Sequence, residues 1–168
     1  MEIGGTAFYI GADVSEYARV IPFLVHSFNK TRFHDLIGLK VVAIDGQQVI
    51  AVIEKSEKLH GQPGLLHGGV ISACLDAVGG YKAVHELYLR ADDTDLVLIA
   101  QRTLRLRTKD INVEYLDAAR GDWYQIAAST VSYQLGAMVN EMTMVDNTGR
   151  LIAKGVARYV ELSALGTR

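Results

Sequence analysis

The sequence holds one cysteine, Cys74, and two prolines, Pro22 and Pro63. A single thiol forms no intramolecular disulfide, so a disulfide-stapled secreted scaffold is excluded and a reducing, cytoplasmic setting is expected. Charge of one sign is scarce as well. Seventeen Lys and Arg against nineteen Asp and Glu leave a formal net charge of −2, which gives no electrostatic footprint for nucleic acid. No apolar run reaches the roughly 18 residues of a membrane-spanning helix. Met1 to Val14 lack the basic start and apolar block of a secretory signal. A soluble protein with neither nucleic acid nor membrane as partner is the expectation.

What is present is a chain of 168 residues, 49% hydrophobic and 21% charged, enough for one domain with a real core. A first helix is expected from Ser15 to Asp35, with Asp13 or Ser15 as its N-cap and Gly38 as its stop. Val20, Phe23, Leu24, Ser27 and Phe28 fall near one face at helical spacing. Leu39 to Ile44, Asp45-Gly46 and Val49 to Ile53 then read as a hairpin, since Asp-Gly suits a turn with positive φ at both positions. From Gly68 to Leu89 the pattern is helical. Val70, Ile71, Cys74, Leu75 and Val78 make an apolar stripe. Beside it run Ser72, Asp76, Gly79, Gly80 and Ala83. Two glycines inside a helix cost about 1 kcal/mol each against alanine, so the pair predicts that another element comes close to that face.

Strands are expected over Thr103 to Leu116, Asp122 to Tyr133, Ala137 to Val145 and Leu151 to Leu162, as a four-strand meander with a turn at Asp146-Asn147-Thr148-Gly149. In the first of these, Leu104 and Leu106 are apolar at even positions, while Ile111, Val113 and Tyr115 are apolar at odd ones. A period of two does not change phase without an extra residue. A β-bulge near Thr108 to Asp110 is therefore predicted. Helix, hairpin, long helix and strands together imply an α+β arrangement, an antiparallel sheet with one long helix to cover.

Two features bear on chemistry. Asp76 is a carboxylate among small and apolar residues on a helix expected to be mostly buried, and such a group needs hydrogen bonds or a partner. A solvated or capped helix Asp is the plainer explanation when it stands alone. His67-Gly68-Gly69 opens the same helix, where free N–H groups and the helix dipole favour a developing oxyanion; a simple helix-start turn is the plainer explanation there. Eight residues separate Gly68 from Asp76, or roughly 12 Å of helix rise. One reacting carbon cannot meet both within one chain, because reacting groups must approach to about 3–3.5 Å. Two antiparallel copies across a two-fold axis can bring them together.

The stretch His67-Gly68-Gly69-Val70-Ile71-Ser72-Ala73-Cys74-Leu75-Asp76 resembles the signature of the phenylacetate-type (PaaI-like) hotdog thioesterases, in which His-Gly-Gly precedes an Asp or Glu by seven residues. Phe33 to Leu39 is similar to that family's approach to its first strand. Thr108 to Leu116 is similar to its T-x-D-φ-x-φ-x-Y strand (φ apolar), and Gly149 to Ala153 to its last turn and strand. The likeness covers about residues 33–160. It implies a hotdog fold over residues 33–162, a long helix wrapped by a curved antiparallel sheet, with an N-terminal helical extension over 1–32 and a tail at 163–168. It further implies homodimers, often paired as tetramers, that hydrolyse acyl-CoA with no cofactor beyond the coenzyme A of the substrate and no metal. By position, Asp76 would be nucleophile or general base and the Gly68 N–H would polarise the thioester carbonyl. His67 would shape the oxyanion pocket with Gly69 beside it, and Thr108 would place the attacking water.

Many members of that family carry Asn or Gln six residues before the His, where this chain has Gly61; Gln62 and His60, which flank it, are the candidate substitutes. Arg102, Arg105, Arg107 and Lys109 form the one dense basic cluster. Alternation puts Arg105, Arg107 and Lys109 on one strand face, suited to the phosphates of coenzyme A or simply solvated. Cys74 lies on the apolar stripe, where a thiol is usually inert. The five histidines show no metal-ligand spacing, no G-x-S-x-G elbow occurs, and Trp123 and Tyr124 read as sheet packing. A non-catalytic acyl-CoA binder and an enoyl-thioester hydratase of the same fold remain the competing readings, though the Asp-His pair of such hydratases is not seen.

Overall fold

In the computed structural model, described over residues 8–9, 16–44, 46–90, 96–134 and 136–162, one long helix is packed against five strands and two other helices. Along the chain come strand β1 (Phe8–Tyr9), helices α1 (Glu16–Asn29) and α2 (Arg32–Ile37), and strands β2 (Lys40–Ile44) and β3 (Gln48–Glu54). The short pair β4 (His60–Gln62) and β5 (Leu65–Leu66) precedes helix α3 (Gly68–Leu89). Helix α4 (Leu96–Thr103) and strands β6 (Leu106–Tyr115), β7 (Trp123–Gln134), β8 (Ala137–Asp146) and β9 (Leu151–Glu161) follow. The expected caps Asp13 and Ser15, the Asp45 half of the Asp-Gly turn and the tail 163–168 lie outside the described residues.

The strands form one seven-stranded sheet in the order β1-β2-β3-β7-β8-β9-β6. It is antiparallel except where β1 runs parallel to β2. Helix α3 packs on β3, β6, β7, β8 and β9, giving the α+β hotdog arrangement, a long helix held in a curved sheet. Its stripe of Ile71, Cys74, Leu75 and Val78 is buried, as spacing predicts, and Val70 packs against the core. Each such aliphatic side chain contributes about 1.5–3 kcal/mol when fully buried.

Three expectations need correction. The four late strands are not a simple meander, because β6 pairs with β9 and not with β7. The segment after β6 is too long for a hairpin turn and is carried across the sheet by its own backbone bonds. The N–H groups of Leu116 and Asp117 donate to the Ile152 carbonyl, Leu66 N–H donates to Ala119, and Lys55 N–H donates to Asp122. The strand expected from Thr103 starts at Leu106, since Thr103 ends α4. Helix α4 escapes notice because its run Leu96-Val97-Leu98-Ile99 shows neither alternation nor a helical stripe, and of its described side chains Ile99 is the buried apolar one while Val97 and Leu98 are exposed.

The single first helix is two. Helix α1 stops at Asn29, where the side-chain oxygen accepts the Val41 N–H at 2.9 Å and pins the helix end to β2. Helix α2 ends as expected at Gly38, whose φ of 74° suits glycine. The buried face of α1 is Ile21, Leu24, Val25 and Phe28, while Phe23 is 68% exposed. Phe28 meets Tyr81 of α3 with ring centroids 4.7 Å apart, which fastens the extension to the central helix.

Candidate active site

Helix α3 begins under a clamp. Strands β4 and β5 fold back around Gly64, whose φ is 78°, and the His67 N–H donates to the Leu59 carbonyl at 2.8 Å. His67 is the N-cap, and its Nδ1 accepts the Gly69 N–H at 2.8 Å. This leaves the ring proton on Nε2. The His67 carbonyl accepts the N–H groups of Val70 and Ile71 at 2.9 and 3.1 Å. In the first turn of α3 the Gly68 N–H is thus the amide with no acceptor among the described residues. Four unsatisfied N–H groups are usual at a helix start; here the cap consumes three and leaves one facing the dipole's positive end. Gly69 serves the cap, because a Cβ there would lie 2.9 Å from His67 Nδ1.

Gly61 sits at the register shift of β4 and β5, and a Cβ there would come within 2.8 Å of His67 Cδ2. The site where relatives of the resembling family carry Asn or Gln is therefore closed to a side chain unless His67 moves. Gln62 beside it pairs with Leu65 through the backbone and is exposed, its side chain with no hydrogen-bond partner among the described residues.

Two turns along α3, Asp76 is half-buried. The Thr108 hydroxyl of β6 donates to Asp76 Oδ1 at 2.9 Å. The predicted bulge makes this contact: the β6–β9 register shifts between Thr108 and Asp110, re-aiming Thr108 toward the helix. From β9 the Tyr159 hydroxyl lies 3.1 Å from the Asp76 carbonyl and 3.5 Å from Oδ1. Asp76 Oδ2 has no hydrogen-bond partner among the described residues. One oxygen is held and the other is open.

Tyr159 explains the helical glycines. A Cβ at Gly79 would fall on its hydroxyl and lie 2.7 Å from Met142 Sδ, and one at Gly80 would lie 3.4 Å from the Tyr159 ring. The sequence signals the close approach but not the side chain that makes it. Burial first, then the neighbouring Asp76 carboxylate, hold the Tyr159 hydroxyl protonated well above the ordinary tyrosine range. Tyr115, quoted in the strand motif without a role, covers the helix start: its hydroxyl donates to the Gly68 carbonyl at 3.1 Å and shares a short hydrogen bond with Ser72 Oγ.

The basic cluster is divided. Arg105 pairs with Glu161 at 2.7 Å, and Arg102 joins the same carboxylate at 3.0 Å. Arg107 donates to the carbonyls of Leu104 and Leu106. Lys109, at the bulge, is exposed, and its ammonium, though near enough to Asp110 to act on its charge, makes no hydrogen bond or ion pair among the described residues. Cys74 is fully buried, and burial pushes its thiol up to about 12. Farther along α3, Lys82 donates to Glu86 at 2.7 Å inside the core, and Arg90 holds the other carboxylate oxygen at 2.6 Å. Burial alone would raise the Glu86 carboxyl, but these cations hold it below its ordinary value.

No family model matches the chain. A thioesterase-superfamily protein of Shewanella oneidensis superposes with a TM-score of 0.82 at 30% identity, covering 87% of this chain and 97% of the other. A candidate thioesterase of Syntrophus aciditrophicus superposes with a TM-score of 0.79 at 26% identity, covering 88% of this chain and all of the other, 100%. Among curated proteins, the Escherichia coli medium/long-chain acyl-CoA thioesterase YigI is 28% identical over 96 residues, or 57% of this chain. The aligned stretch spans 62% of that relative's length. No described helix is long and apolar enough to cross a membrane.

Proposed function

The chain belongs to the thioesterase superfamily, and from that premise we propose that it hydrolyses acyl-CoA to a free acid and coenzyme A. The observation that carries the reading is the Thr108–Asp76 hydrogen bond. It fixes a helix carboxylate by one oxygen beside an open face. The activity named for YigI supports the substrate class and points to medium and long acyl chains first.

In this reading the Gly68 N–H of one subunit binds the thioester carbonyl oxygen, while Asp76 of the other faces the carbonyl carbon. Water held by Thr108 and Asp76 Oδ2 attacks, and its proton passes to Asp76 as general base. The tetrahedral oxyanion rests on the Gly68 amide. On collapse the C–S bond breaks, and the departing sulfur takes the proton to leave as the coenzyme A thiol. Direct attack by Asp76, with an anhydride cleaved by water, uses the same residues. His67 holds the geometry by capping α3, and with Gly61 bare the placement of water falls to Thr108. Lys109 is the cation open to a coenzyme A phosphate, with Arg107 beside it, whereas Arg105 would first have to leave Glu161. Homodimers, or pairs of them, in a reducing cytoplasm complete the reading.

The test is release of free thiol from acyl-CoAs of short, medium and long chain and from aryl-CoAs. Asp76→Asn should lower kcat by a hundredfold or more, the scale of a lost general base. Turnover by Asp76→Asn close to wild type, with its mass confirmed, sinks the assignment. Binding of acyl-CoA without thiol release would favour a non-catalytic binder instead.

A further inference from the structure

We infer that Tyr159 is a positioning residue for the reaction, its hydroxyl fixing the Asp76 carboxylate from the core side while Thr108 fixes it from the open side. This rests on the assignment of Asp76 as the reacting carboxylate.

Three observations converge on it. The Tyr159 hydroxyl reaches both the backbone carbonyl and Oδ1 of Asp76, at 3.1 and 3.5 Å. It is 1% exposed and lies along Gly79 and Gly80, where a Cβ at Gly79 would displace the hydroxyl and one at Gly80 would touch the ring at 3.4 Å. Interior glycines weaken a helix, so this slot costs stability and gains a hydroxyl placed against Asp76. Tyr159 also sits opposite Thr108 in the β6–β9 register, immediately before the bulge, so the two hydroxyls reach one carboxylate from paired strands. Burial keeps the phenol protonated, so it remains a donor throughout the working pH range. With Oδ1 held by the Thr108 hydroxyl at 2.9 Å and more weakly by the Tyr159 hydroxyl, whose one proton is shared with the nearer Asp76 carbonyl, Oδ2 is the oxygen presented outward.

The charged groups on these strands at the bulge are Lys109 and Asp110 of β6 and Arg158 of β9, with Arg107 and Glu114 elsewhere on β6 and Lys154 and Glu161 elsewhere on β9. Asp110 and Arg158 pair with each other at 2.6 Å. Among the described residues no hydrogen bond or ion pair joins any of them to Asp76.

Tyr159→Phe keeps the ring in its slot and removes the donor. The kcat should fall on the order of tenfold, as for loss of a bond to a charged group, with KM within about twofold. In an Asp76→Asn background the same change should have no further effect, because the two act as a unit. A near-normal kcat, a loss carried by KM instead, or an equal loss in both backgrounds overturns the inference and leaves the proposed activity standing. Should Tyr159→Phe fail to fold, Gly79→Ala displaces the hydroxyl while keeping it in the chain; the same loss of kcat is expected, and a near-normal kcat is equally decisive. Full activity of Asp76→Asn alone removes the reading and this inference together.

Discussion

The side chains of Asp76 and Cys74 stand two residues apart on α3 and meet opposite fates. Asp76 is half-buried with hydroxyls on one oxygen, whereas Cys74 is enclosed in the core with its thiol pushed up to about 12. Almost none of that thiol is ionised at pH 8, and only the thiolate is reactive. Native protein should therefore resist iodoacetamide at pH 8 while denatured protein labels at this one position, as read by intact mass. Fast native labelling would mean that α3 opens far more readily than its packing implies. Both fates follow from helical spacing, which puts Cys74 on the apolar stripe and Asp76 beside it. Tyr159 was not legible in this way, since the glycine pair announces a close neighbour and only the sheet register identifies it. The pairing of Arg105 with Glu161 was equally hidden, because 56 residues separate them.

Among the elements, the β8–β9 turn shows how much local sequence decides. Asp146 Oδ1 accepts from the Thr148 hydroxyl at 2.6 Å, the Thr148 N–H at 2.9 Å and the Arg150 N–H at 3.1 Å. Gly149 takes a φ of 82°. The Thr148 hydroxyl first, with these backbone amides and the Arg150 side chain, holds the Asp146 carboxyl down at about 2, against an ordinary 3.8. The folded-state value is the lower one, so the carboxylate stabilises the fold above about 3.8, and that contribution is lost as pH falls toward 2. Asp146→Asn should lower the thermal midpoint at pH 7, and the gap to wild type should narrow as the buffer is taken from pH 4 to pH 2. A gap that is constant with pH would mean that shape rather than charge stabilises the turn. The turn, the bulge at Thr108 to Asp110 and the full span of α3 were legible because each is written in a few adjacent residues. The break between α1 and α2 was not, since it depends on Asn29 reaching Val41 of β2. Nor was the placing of β6 beyond β9, which depends on how residues 116–122 bond across the sheet.

At the scale of the whole molecule, the two halves of the proposed chemistry lie at different heights on one helix. Gly68 offers the amide left unsatisfied at the start of α3. Asp76 offers its open oxygen roughly 12 Å farther along. A single chain does not bring them to one carbon, and an isologous dimer with antiparallel α3 helices does so twice. The proposed site is therefore shared between subunits, and subunit mixing decides whether it is. Gly68→Val is a workable partner for Asp76→Asn, because a Cβ at Gly68 meets the Tyr115 ring at an ordinary 3.5 Å, so the change should block the amide without unfolding the chain. Each variant alone should be inactive. Mixed in equal amounts, denatured and refolded together, they should give half mixed dimers, each with one intact site and one doubly defective site. Thiol release should then return to about a quarter of the wild-type rate. No recovery, with mixed dimers verified by native mass spectrometry, would contradict the shared site.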